Sequence, residues 1–132
     1  MIKYICTLVL LLASPLTLWA DENSEVFIIS PADGEQVTSP VTVKFGAKNV
    51  DIVPAGTGHA HAGHHHLLID AHLPDLKKPM GGEVKHFAKG QTETQIELKP
   101  GKHTLQLVLG DKSHKPHAKP VVSKKITIEV VE

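Results

Sequence analysis

The chain has 132 residues, with 14 Lys+Arg against 14 Asp+Glu, 41% hydrophobic residues and a single cysteine. This length bounds it to one compact domain and excludes a multidomain enzyme. Every basic residue is lysine, and near-zero charge without arginine argues against a nucleic-acid binder.

Residues 1–20 read as a secretory signal peptide: Lys3 supplies the basic start, Ile5 to Leu18 is almost wholly apolar, and Ala20 precedes Asp21-Glu22. Leu18 is larger than the small residue preferred three positions before a cut, which leaves the cleavage site open. Removal of the segment takes away Tyr4, Cys6 and Trp19, so residues 21–132 carry no cysteine. Disulfides, thiolate ligands and a cysteine nucleophile are thereby excluded, although the expected periplasmic or secreted location would permit disulfides. No second apolar stretch approaches the ~18 residues needed to cross a bilayer.

In the remainder, residues 25–30 (EVFIIS) form a short β-branched strand stopped by Pro31-Ala32-Asp33-Gly34. Val41, Val43 and Phe45 then alternate with Thr42 and Lys44, the period of a half-buried strand. Residues 47–63 show no steady period and read as an irregular connection into HHHLLID (64–70), a predicted strand. The density of Pro and Gly over 71–90 predicts a long loop with one brief strand near Val84 to Phe87. A strand follows over 91–98, then Lys99-Pro100-Gly101 as a turn. Leu105, Leu107 and Leu109 alternate in the clearest strand of the chain, and Ile126, Ile128 and Val130 mark the last one. No segment carries a helical period. About seven short strands with regular turn signals predict an all-β, immunoglobulin-like antiparallel sandwich over 21–132, without the usual disulfide. His103, after Pro100-Gly101, stands where many such sandwiches place a corner tyrosine and is read first as structural.

Ten histidines, all beyond residue 20, carry the functional signal. His59, His61, His64, His65 and His66 fall within eight residues, a composition that points to a divalent transition metal. On a strand, His64 and His66 project to one face about 6 to 7 Å apart, while His65 turns the other way with Leu67 and Ile69. His86 and the His114-Lys115-Pro116-His117 group lie near other strand ends, where a sandwich gathers its loops. The predicted ligand set is therefore His64, His66, His86, His114 and His117. Asp70 and Asp111 are expected as ligands or as acceptors that orient an imidazole, and His59 and His61 as auxiliary capture ligands or solvated residues. An all-nitrogen set suits Cu(II), Zn(II) or Ni(II), with Cu(II) favoured by the general affinity order. Met80 is the one thioether beyond the signal segment, too few for a Cu(I) carrier.

Four blocks resemble a known family: SPADGEQVTSPVTVKFG, GHHHLLID (63–70), HFAKGQTET (86–94) and PGKHTLQLVLGDKSHKPH (100–117). They are similar to the small exported bacterial proteins grouped as domain of unknown function 4399. The resemblance implies a compact exported domain without an established activity, and singles out His64, His65, His66, His86, Gln91, Glu93, His103, Asp111, His114 and His117. His65 and Glu93 thus join the auxiliary residues. The SPADG opening also resembles periplasmic copper carriers of the copper-resistance type. Those carriers use a histidine at the processed amino terminus, where this chain would present Asp21, so their site is not carried over.

The expected function is metal capture, buffering or delivery with Cu(II) or Zn(II), with affinity falling as pH drops through about 6. An envelope or periplasmic protein is an expected partner. The rivals are a metal-free interaction or adhesion module, a pH sensor built on clustered imidazoles, and a small metal-dependent hydrolase. No catalytic motif identifies a substrate, so an enzyme is not expected.

Overall fold

A computed structural model describes residues 23–132, so the expected signal peptide lies outside the described residues. Nine strands follow in order: β1 (Glu25–Ser30), β2 (Gln36–Thr38), β3 (Val41–Lys48), β4 (Asp51–Ile52), β5 (Ala62–Ile69), β6 (Lys85–His86), β7 (Glu93–Ile96), β8 (Gly101–Gly110) and β9 (Ile126–Val131). One sheet has the order β1-β3-β7. The other runs β2-β9-β8-β5-β4, with β6 also paired to β5. The fold is an all-β sandwich, and no helix among the described residues is long and apolar enough to cross a membrane.

Alternation builds the interior. Val41, Val43 and Phe45 are buried while Thr42 and Lys44 are exposed, and Ile126, Ile128 and Val130 behave in the same way on β9. With Val26 and Ile96 these side chains meet Leu67, Leu105, Leu107 and Leu109 in one cluster between the sheets. β2 and β4 were not expected. They are three and two residues long, too short to show a period, and both pair in parallel, β2 with β9 and β4 with β5. The remaining ladders are antiparallel.

β5 departs from alternation: Ala62 to Leu68 are all buried. An antiparallel sheet often leaves one face to water, but here the segment between β5 and β6 folds over the outer face. Met80 and Val84 pack there on Leu68 and Val108. The long Pro- and Gly-rich stretch is thus a second layer, and it roofs the histidine face of β5.

Candidate metal centre

Register fixes where the imidazoles go. β5 pairs with β8 so that His64 faces Gly110 and His66 faces Val108, while β6 on the other side sets His86 opposite His66. The period of two puts His64 and His66 on the outer face, with ring centroids 4.5 Å apart. The His66 and His86 rings meet edge to face at 4.6 Å.

The chain after β8 supplies the fourth ring. Asp111 folds residues 111–115 back on themselves: its Oδ1 accepts from the Ser113 N–H (2.8 Å) and the Lys115 N–H (3.1 Å). Its N–H donates to the Lys115 carbonyl (2.7 Å), and its own carbonyl accepts from the His114 N–H (3.0 Å). His114 thereby holds φ at 62°, a left-handed backbone that is costly for a residue with a Cβ and that persists only where the surroundings enforce it.

His114 Nδ1 stands at the centre of the cluster. It lies 2.9 Å from His64 Nε2, 3.3 Å from His66 Nε2 and 3.0 Å from His86 Nδ1. The nitrogens offered by His64, His66 and His114 all lie within 4.8 Å of one another. Backbone carbonyls define the protonation pattern, because they can only accept. His66 Nδ1–H donates to the His64 carbonyl (3.2 Å) and His86 Nε2–H to the Gly81 carbonyl (2.7 Å). The other nitrogen of each neutral ring, turned toward His114, therefore carries a lone pair. One hydrogen on His114 Nδ1 can serve only one of its three neighbours. The cluster is short of donors and rich in lone pairs, as a cation site with carbonyl-oriented histidines is.

Electrostatics favour the ligand form. Burial, and then the neighbouring imidazoles of His114 and His86, lower His64 to about 4, with the Asp111 carboxylate pulling in the opposite direction. Burial and the rings of His64, His86 and His114 lower His66 to about 3, against its bond to the His64 carbonyl. Both rings are neutral at neutral pH. Burial thus holds His64 and His66 in the lone-pair-bearing form well below the usual histidine range.

The profile described as "Domain of unknown function (DUF4399)" matches residues 43–131, most of the chain and every residue of the cluster. The chain belongs to the DUF4399 family. No curated protein resembles it closely enough to count as a relative. Among solved structures, the endo-β-1,4-mannanase of Thermotoga petrophila aligns over 85% of this chain and 20% of its own, at 14% identity and TM-score 0.50. This DUF4399 chain thus spans about a fifth of that enzyme, and the likeness concerns the fold. The fibronectin(III)-like modules of Clostridium thermocellum CbhA align over 80% of this chain and 92% of theirs, at 13% identity and TM-score 0.42.

The DUF4399 fold gathers four of the five predicted ligands. His117 stands apart: its Nε2–H donates to the Ala62 carbonyl (3.0 Å), and it is not one of the rings around His114. Pro116, bridged to Gly110, sends the chain away between the two histidines. The auxiliary residues separate as well. His65 points into the interior against Phe45, with ring centroids 5.2 Å apart and neither ring nitrogen hydrogen-bonded, because a strand cannot turn neighbours to one face. Burial and His64 lower it to about 4. His59 pairs with Asp51 at the surface (3.1 Å), and the His61 N–H donates to His59 Nδ1. Glu93 is exposed on β7 of the other sheet.

Asp70 lies at the far end of β5, where its Oδ2 takes His103 Nδ1–H at 2.6 Å and its Oδ1 the Thr104 N–H at 2.8 Å. His103 Nε2–H donates to the Lys99 carbonyl (2.7 Å), so the pair ties the corner before β8. Asp111 touches no imidazole, and its part is to shape the loop that carries His114.

Three contributors escaped the sequence reading. Gly110 is required because a Cβ there would overlap the His66 ring. Gly81 gives a carbonyl to His86, and Met80 gives its N–H to the His114 carbonyl (2.8 Å). Glycine at the end of a strand facing a histidine was the only available signal for the first.

Proposed function

We propose that this protein is an exported, periplasmic or secreted binder of a divalent transition metal, Cu(II) or Zn(II), held by His64, His66, His86 and His114 for capture, buffering or delivery. One observation carries the reading: three imidazole nitrogens stand 2.9–3.3 Å from a fourth, and two of the three are fixed as bare acceptors by carbonyls behind them. Four nitrogens about 2.05 Å from one tetrahedral ion are about 3.3 Å apart; the three separations from His114 Nδ1 are near that value, and the nitrogens of His64, His66 and His114, within 4.8 Å of one another, would draw together on binding. The nearby Asp111 carboxylate, whose field reaches His64, supports an incoming dication.

The reading assigns binding and no reaction. A cavity of about 560 Å³ is lined among others by Asp111, Lys112, Lys115 and His117, and its lining does not include His64, His66, His86 or His114.

The test is titration of the tag-free protein with Cu(II) and Zn(II) at pH 7.5, backed by elemental analysis of protein purified without affinity resin. One equivalent is expected to bind at micromolar or tighter affinity. His114→Ala and His66→Ala should each weaken it by at least a hundredfold, while His117→Ala and His59→Ala should stay within about threefold, given the cost of losing a ligand or its orientation. Tight uptake that survives the combined loss of His66 and His114 would refute the site.

A further inference from the structure

We infer that this centre is a copper site in which the Met80 thioether joins the imidazoles when the ion is Cu(I). The inference rests on the metal reading above and adds to it a sulfur donor and an oxidation state. Met80 is the one methionine among the described residues, and it is 4% exposed. Counted alone, one thioether spoke against a Cu(I) carrier; its position beside the imidazoles is the ground for the inference.

Two backbone groups, one from each residue, bind the Met80-Gly81 dipeptide to the site. The Met80 N–H donates to the His114 carbonyl, and the Gly81 carbonyl accepts from His86 Nε2–H. The side chain then lies under the roof with Leu68, Val84 and Val108. Its Cε methyl ends 3.2 Å from the place a Gly110 Cβ would take, and the same place borders Cε1 and Nδ1 of His66. The missing side chain of Gly110 therefore leaves one space shared by the His66 ring and the end of the thioether. Methionine turns about three bonds and adapts to irregular gaps, which gives the sulfur the freedom to turn toward the ion.

Ligand softness gives this placement its meaning. Thioether sulfur selects Cu(I), whereas imidazole serves copper and zinc alike. A methionine that only fills the roof would be replaced by leucine with little consequence, since the two are close in volume. A donor would be missed by Cu(I) and not by Zn(II).

The experiment compares the wild-type protein with Met80→Leu. Cu(I) affinity is measured without oxygen against bicinchoninate as competitor, and Zn(II) affinity against a chromophoric zinc chelator. Met80→Leu should weaken Cu(I) by tenfold or more and leave Zn(II) within about twofold. X-ray absorption of the wild-type Cu(I) protein should show a sulfur neighbour among the nitrogens, an arm that stands even if the variant folds poorly. Equal losses for both ions, an unchanged Cu(I) affinity, or an all-nitrogen copper shell in a metal-loaded wild type would overturn this inference alone. Failure of the wild type to bind any of the ions would overturn the metal reading with it.

Discussion

His65→Leu gives a sharp test of how the β5 histidines divide their work. The ring is fully buried, lies beside Phe45, and leaves both nitrogens without a partner. An unsatisfied buried donor or acceptor costs about 1 to 3 kcal/mol, and an apolar group of similar shape removes that cost. Leucine should therefore stabilise the metal-free protein by about 1 to 3 kcal/mol at pH 7.5, and each kcal/mol corresponds to roughly 4 to 8 °C in Tm. The gain should grow in acid. Below pH 6.5 the unfolded ring takes up a proton that the folded ring refuses until about pH 4. Native stability is thus unaffected by this ring above 6.5 and falls across that window by about 1.4 kcal/mol per pH unit. At pH 4.5 the variant should be ahead by roughly 2 to 3 kcal/mol more than at pH 7.5. Urea unfolding at the two pH values, with a chelator present, measures both quantities, and Zn(II) affinity should change less than twofold. A variant less stable than wild type at pH 7.5, or one whose advantage does not widen in acid, would refute the reasoning.

Gly110→Ala should push the His66 ring from its place: metal affinity is expected to fall at least tenfold, and urea unfolding should show a loss of about 1 to 3 kcal/mol from overpacking. Asp111→Ala removes the acceptor for two loop amides and should lower Zn(II) affinity about 10- to 100-fold, the usual range for a group that orients a ligand. Asp111→Asn, which keeps one acceptor oxygen, should recover part of that loss in the same competition assay. At the other end of β5 the Asp70–His103 pair should show its own pH profile. Hydrogen bonds to Asp70 and to the Lys99 carbonyl raise His103, so its contribution is complete below 6.5 and disappears as pH rises through its folded value. Asp70 is held low, since its bonds from His103 and Thr104 outweigh burial, and its contribution disappears as pH falls below 3.8. His103→Phe should therefore destabilise more at pH 6 than at pH 9 in thermal unfolding.

The sandwich was legible where one face of a strand is wet, and also on β8, where Gln106 and Val108 are buried beside the leucines but leucine at every second position still marked the inner face. β3 and β9 alternate plainly, and Leu105, Leu107 and Leu109 on β8 point to a single face. The short β2 and β4 hold too few residues to alternate. β5 could be read as a strand, and its period of two separated His64 and His66 from His65. Nothing local announced that its outer face is covered as well, because the cover comes from the irregular stretch after it. The histidine cluster was legible as a composition and incomplete as geometry. His114 and His117 are equivalent by composition, and only the loop folded by Asp111, with Pro116 bridged to Gly110, sends one ring inward and ties the other to the Ala62 carbonyl. Gly110 and Gly81 act through absent volume and through a carbonyl, neither of which residue type declares.

The fastening of Met80 and Gly81 to His114 and His86 makes cover and pocket one mechanical unit. One bond holds the backbone that carries His114 and the other holds the His86 ring, so peeling this flap from the sheet would disturb both residues. If the proposed ion is held there, its residence time should follow local opening of residues 71–84 rather than the strength of any single nitrogen bond.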